Sequence, residues 1–162
     1  MTADPADDPA GARADDSTGA PIGGPDYSPG FWLWHATLRW QREIAAVLAP
    51  LGLTHVQFVL LASTWWLNGQ GQTPTQQAIA AHADTDVKMT SEILRKLEDK
   101  GLVVQRMDAR DRRARAIEVT ETGTALAQQA ITVVEQVDAD FFRRAPASLT
   151  PALQELAGLA GG

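Results

Sequence analysis

Residues 74–120, PTQQAIAAHADTDVKMTSEILRKLEDKGLVVQRMDARDRRARAIEVT, constrain the fold of this chain more than any other stretch. Two short runs with helical spacing are followed by two β-rich runs, LVVQRM and RAIEVT, separated by the polar DARDRRA. The order reads as helix, turn, helix, strand, charged hairpin tip and returning strand. The charges are as uneven as the pattern. Of fourteen Lys and Arg, nine fall between Lys88 and Arg115 (Lys88, Arg95, Lys96, Lys100, Arg106, Arg110, Arg112, Arg113 and Arg115). Glu92, Glu98, Asp99, Asp108 and Asp111 share that window, which leaves it at +4 in a chain of net charge −6. A basic island in an acidic protein is an electrostatic footprint for a polyanion.

The acidity comes mostly from elsewhere. Residues 1–30 hold six Asp and one Arg, so residues 31–162 sum to only −1. Rich in Pro, Gly, Ala and Asp, that leader has little to bury, and residues 1–28 are expected to form a disordered acidic tail. It has neither the basic start nor the apolar core of a secretory signal. No apolar run reaches the about 18 residues of a membrane span. The expected location is therefore the cytoplasm, with no membrane partner. The absence of cysteine excludes disulfides, thiol nucleophiles and Cys-held metal. His35, His55 and His82 show no ligand spacing, and no phosphate-binding glycine loop or nucleophile elbow occurs. Neither a metal, a cofactor nor catalysis is expected.

Helix signals punctuate the rest. Ser28-Pro29 offers a cap and a proline at the first helical position, and FWLWHATLRWQREIAAVLAP runs apolar on most faces to Pro50. Such a helix is expected to be buried, against a partner subunit among other surfaces. Thr54 and Gln57 fit a capping box for a helix ending near Asn68-Gly69. Thr73-Pro74 with Gln76 predicts a third helix, ending near Ala83. A fourth follows Asp84-Thr85-Asp86 and stops at Gly101, with Thr90, Ile93, Leu94 and Leu97 as its inward stripe. Thr120-Glu121 opens a fifth, with Leu126, Ile131, Val133, Val134 and Val137 on a broad apolar face, and Thr150-Pro151 a short sixth.

Two helices joined by the turn HADTD form a helix-turn-helix whose second member can enter a major groove. The residues brought closest to base edges are Lys88, Met89, Ser91 and Glu92, with Arg95 one turn on. Ser91 can bond a base or phosphate, Glu92 can accept from cytosine N4, and Met89 suits a thymine methyl. The hairpin tip adds Arg110, Arg112, Arg113 and Arg115, suited to a narrow minor groove, with Asp108 and Asp111 placed to brace them by bidentate pairing.

The run DKGLVVQRMDARDRRARAIEVTETGTAL resembles the wing of the MarR family of winged helix-turn-helix transcriptional regulators, through Gly101, Asp111 with Arg113, and Thr120 with Gly123. LGLTHVQFVLL is similar to that family's second helix, and six helices with the wing between the fourth and fifth complete the likeness over about residues 29–160. The resemblance implies a mainly α fold with a small β-hairpin wing (α+β). Residues 53–120 would be the DNA-binding lobe, and 29–50 with 121–160 the α-helical dimerisation lobe of a regulator spanning 29–162. It also implies a homodimer on a pseudo-palindrome in double-stranded DNA, Arg113 in the minor groove, Asp111 bracing it, and repression relieved by a small, aromatic ligand. Where the family has an arginine after the serine or threonine of the reading helix, this chain has Glu92 after Ser91.

All five tryptophans lie between Trp32 and Trp66. Trp34, His35, Arg39, His55, Trp65 and Trp66 are the candidate effector-binding residues, set against a reading in which the tryptophans are simply core. Adjacent helical positions point about 100° apart, so Trp65 and Trp66 cannot both be equally buried. The alternative to a regulator is a winged-helix protein-interaction module with no operator of its own, for which Glu92 and the acidic tail speak.

Overall fold

The computed structural model describes residues 28–107 and 115–158. The chain divides into two units, Met1–His35 and Ala36–Gly162. Among the described residues, six α-helices and one hairpin follow in order: α1 (Pro29–Leu48), α2 (His55–Gly69), α3 (Gln76–His82), α4 (Val87–Asp99), β1 (Val103–Met107), β2 (Arg115–Val119), α5 (Glu121–Phe142) and α6 (Leu149–Leu156). A 3-10 turn, Ala49–Leu51, joins α1 to α2. The fold is thus mainly α with a two-stranded antiparallel wing, as the sequence pattern predicts.

Local chemistry sets most boundaries. At the start of α1, Phe31 N–H donates to Ser28 Oγ at 3.3 Å. The capping box of α2 is complete: Gln57 N–H donates to Thr54 Oγ1 (3.3 Å) and Thr54 N–H to Gln57 Oε1 (3.2 Å). Thr75, not Thr73, caps α3, accepting from Ala78 N–H at 3.2 Å. The reason lies outside the segment: Pro74 O accepts from Ile117 N–H at 2.9 Å, so the chain is still pairing with β2 just before the helix starts. Helix α4 ends in a Schellman arrangement, Leu102 N–H to Leu97 O (2.9 Å) and Gly101 N–H to Glu98 O (2.8 Å), with Gly101 at φ +70°. Helix α6 begins at Leu149, one residue before the expected Thr150 cap.

Helix α2 is the hub, packing on α3, α4, α5 and β2. The core it organises contains Ile44, Leu48, Leu60, Leu61, Ile79, Leu94, Leu97, Val103, Ile117, Ala127 and Ala130. Of the stripe on α4, Thr90, Leu94 and Leu97 are buried and Ile93 is half-buried. On α5 the fully buried positions are the small ones, Gly123, Ala127 and Ala130, with Val134; Leu126, Ile131, Val133 and Val137 are half-buried at the margins. Small residues inside let α5 approach α2 closely, a choice periodicity does not reveal. Helix α1 fully buries only Ile44 and Leu48 within the single chain, and α6 has no fully buried residue, leaving Leu156 80 % exposed.

Candidate nucleic-acid interface

The turn between α3 and α4 is built to hold one angle. Asp84 takes a left-handed conformation (φ +49°), and Thr85 N–H returns to Ala80 O at 2.9 Å. Asp86 caps α4 by accepting from Met89 N–H (2.9 Å). Thr90, fully buried, donates to Asp86 O (2.8 Å) and lies 2.8 Å from Thr85 Oγ1. Gln76 Nε2 crosses from α3 to the Val87 carbonyl at 2.9 Å. Turn, cap and first helical turn are therefore tied to one another by a connected set of polar contacts.

That frame leaves the other face of α4 free. Lys88, Met89, Ser91, Glu92, Arg95 and Lys96 are all exposed. Ser91, Glu92 and Arg95 line a polar cleft of about 480 Å³ together with Gln76, Glu98 and Gln105. Sequence reasoning did not place Gln76, Glu98 or Gln105 in the site: Gln76 and Gln105 join it only through tertiary contact, and Glu98, one turn past Arg95 on the same helix, lies beyond the amino-terminal turns on which the reading rests. The amides of Gln76 and Gln105 and the Glu98 carboxylate make the surface between helix and wing polar, and amides are among the groups that contact base edges and phosphates.

Two cations of the basic island serve the protein itself. Lys100 Nζ donates to Gly52 O (2.6 Å) and to Gln57 Oε1 (3.0 Å), fixing the α1–α2 connection to the end of α4. Arg106 Nε pairs with Glu118 Oε2 across the hairpin at 3.2 Å. In the ladder Val103 faces Val119 and Met107 faces Arg115. Arg115 is thus on β2 at the outer rung, while Asp108, Arg110, Asp111, Arg112 and Arg113 lie outside the described residues.

The residues considered for an effector are distributed as follows. In the first unit, Trp34 is 61 % exposed, and the His35 ring lies 4.1 Å from that of Phe31, with Nδ1 2.9 Å from Phe31 O. In the second, Arg39 pairs with Glu43 (3.1 Å), its guanidinium 5.5 Å from the centre of the Phe141 ring. His55 packs edge-on against Trp40 (5.1 Å), whose Nε1–H donates to Asp138 Oδ1 at 2.7 Å. Burial holds the His55 imidazole below its ordinary pKa, and the Asp138 carboxylate partly offsets that. Trp65 is half-buried against the core and Trp66 is 53 % exposed, so the two rings do diverge. Trp40 is one of the five clustered tryptophans, but its contact with Asp138 spans 98 positions and has no local signature.

Comparison with known proteins gives a consistent result. The sequence model of the MarR family matches residues 53–114. The chain is 42 % identical over 122 residues to the HTH-type transcriptional regulator YdcH of Bacillus subtilis, covering 75 % of this chain and 83 % of that one. It is 32 % identical over 115 residues to the HTH-type transcriptional repressor Rv2887 of Mycobacterium tuberculosis, covering 71 % and 80 %. The crystal structure of Rv2887 in complex with DNA superposes with a TM-score of 0.60 at 28 % identity, over 83 % of this chain and 98 % of that one. CouR from Rhodococcus jostii RHA1, solved bound to p-coumaroyl-CoA, shares the fold with a TM-score of 0.73 at 24 % identity, over 84 % and 93 %.

Proposed function

This chain belongs to the MarR family of transcriptional regulators, and from that premise we propose that it acts as a homodimeric repressor. It reads a pseudo-palindromic operator and is released by a small aromatic ligand. The observation that carries the reading is the exposed row Lys88, Met89, Ser91, Glu92 and Arg95 on a helix whose angle is held by Asp86, Thr85, Thr90 and Gln76. In this reading that helix enters the major groove. Arg110, Arg112, Arg113 and Arg115 reach the backbone and minor groove, with Asp108 and Asp111 bracing them. The relatives are regulators rather than enzymes, and the mechanism needs no catalytic group.

A second copy gives α6 and the start of α1 something to cover. Leu153 and Leu156 on α6, and Trp32, Leu33 and Trp34 on α1, are exposed in the single chain. With α1, α5 and α6 (29–50 and 121–160) pairing the copies and residues 53–120 reading DNA, two half-sites about one helical turn apart are engaged together. Among the described residues no single helix is long and apolar enough to cross a membrane, and the cytoplasm is the place proposed for the regulator. Trp34, His35, Arg39, His55, Trp65 and Trp66 remain the candidate effector residues. Release follows if the ligand prefers a dimer whose reading helices no longer match the half-site spacing.

Fluorescence-anisotropy titration onto the DNA upstream of the protein's own gene, against scrambled DNA and over a salt series, tests the reading. Nanomolar selective binding with a slope of about −0.9 per neutralised phosphate supports it. Weak binding that ignores sequence favours the interaction-module alternative, for which the exposed Glu92 carboxylate on the reading face speaks. Quenching of tryptophan fluorescence by small aromatic acids, with parallel loss of DNA binding, tests the release step.

A further inference from the structure

A hairpin can aim its side chains only if its base is fixed, and one rung of this hairpin is gripped from three directions. That rung pairs Gln105 of β1 with Ile117 of β2. From α4, Glu98 accepts Gln105 N–H through Oε1 (3.1 Å) and Gln105 Nε2–H through Oε2 (3.0 Å). From the end of α2, Asn68 Nδ2 donates to Ile117 O (3.2 Å), and its Oδ1 accepts from Val119 N–H (2.8 Å). From the segment before α3, Pro74 O accepts Ile117 N–H at 2.9 Å. Beyond the rung the ladder continues through Arg106 with Ala116 and exposed Met107 with Arg115.

The Glu98 contact differs from the other two because it starts on the reading helix. Glu98 lies one turn after Arg95 and lines the same cleft as Ser91, Glu92, Arg95 and Gln105. We infer that Glu98 is a positioning residue for DNA binding: by holding Gln105 with both carboxylate oxygens it locks the wing to the reading helix, so that both meet the duplex as one rigid body. This rests on the DNA-binding reading above. The electrostatics make the inference testable by sign. A carboxylate on a surface that faces phosphates opposes binding through its charge. Removing it should tighten DNA binding if charge is its main effect, and weaken binding if position is.

The test compares the full-length protein with Glu98→Ala and Glu98→Gln, on selective DNA, over a salt series. Alanine removes both acceptors. Glutamine removes the charge but keeps two hydrogen bonds, because the Gln105 amide can turn to present its oxygen to the new donor. The expected result is an affinity loss of about tenfold for Glu98→Ala, the value of one or two lost hydrogen bonds. Its salt slope should fall by about one to two, as the phosphates reached by the hairpin are no longer engaged together with those under α4. Glu98→Gln should restore the wild-type slope. Tighter binding by both variants overturns the inference in favour of a pure charge effect. A lower melting temperature for Glu98→Ala with an unchanged slope also overturns it, leaving a merely structural contact. No selective binding by the wild type would instead overturn the regulator reading itself, and the positioning role with it.

Discussion

Substituting Gly123 by alanine sets a local rule against a tertiary one. Gly123 is the third residue of α5, and no positive φ sets it apart from the helix around it. By helix propensity alone, alanine there should stabilise the protein by up to about 1 kcal/mol. The packing says otherwise. A Cβ built on Gly123 falls on the carbonyl oxygen of Leu102, and also lies 2.8 Å from the Leu102 carbonyl carbon and 2.8 Å from Val119 Cγ2. The Leu102 carbonyl cannot swing aside freely, because it accepts Thr120 N–H at 3.0 Å, and Leu102 is itself buried. Thr120 Oγ1 further accepts Gly123 N–H (2.9 Å) and donates to Gly101 O (2.7 Å), so the helix start is pinned to the α4–β1 connection. Overpacking of this kind costs about 1–3 kcal/mol, and each hydrogen bond pulled apart adds about 1 kcal/mol. The net expectation is a loss of about 3 kcal/mol, a fall in melting temperature of about 10 °C for a domain of this size. Gly69→Ala is the control: Gly69 ends α2 with no atom within 4 Å of a built Cβ, so propensity acts alone. It should raise the melting temperature slightly, by no more than about 1 kcal/mol in stability. Thermal denaturation of the three proteins at one protomer concentration decides the matter. A Gly123→Ala protein that melts at or above wild type would refute the close approach of α5 to Leu102.

Further expectations follow from single contacts. Thr90→Val keeps shape but removes a fully buried hydroxyl bonded to Asp86 O and paired with Thr85, and should cost about 1–2 kcal/mol in urea denaturation. Lys88→Ala, at an exposed position on α4, should leave the fold intact and reduce the salt slope of DNA binding by about 0.9 if the ammonium meets a phosphate. Burial holds the folded-state pKa of His55 below 6.5 despite Asp138, so the unfolded chain binds the proton first as pH falls. Stability from this residue is therefore complete above pH 6.5, declines as pH drops from there through the lower folded value, and then levels off. Urea midpoints across that range should show the decline, and Asp138→Asn should deepen it by removing the charge that favours the imidazolium. Trp40→Phe leaves Asp138 Oδ1 without its 2.7 Å donor and should lower stability by about 1–3 kcal/mol, measured the same way.

Much of the fold is written in short stretches of the chain. The capping box at Thr54 and Gln57, the Asp86 cap, the Gly101 stop and the Thr120 cap each depend on residues within a few positions of one another. The β-rich runs on either side of DARDRRA announce the hairpin, and the stripe on α4 announces which face is left for solvent. Hence the exposed row from Lys88 to Arg95 is legible in the sequence alone: a helix with one apolar stripe has one polar face. The basic island is legible as a count, but not in its division of labour. Composition cannot show that Lys100 is held by Gly52 and Gln57, or Arg106 by Glu118.

What the sequence by itself determined, then, is the set of elements, their order and the polar face of the reading helix, because these rest on interactions within one or two turns. Tertiary structure decided the rest. It chose Thr75 over Thr73 as a cap by drawing Pro74 onto β2, and required glycine at 123 because Leu102 passes beneath it. It joined Trp40 to Asp138 and gathered Glu98, Asn68 and Pro74 on one rung of the wing. Each of those partners is selected by which surfaces pack together, and that selection depends on the whole core at once rather than on any local period or motif.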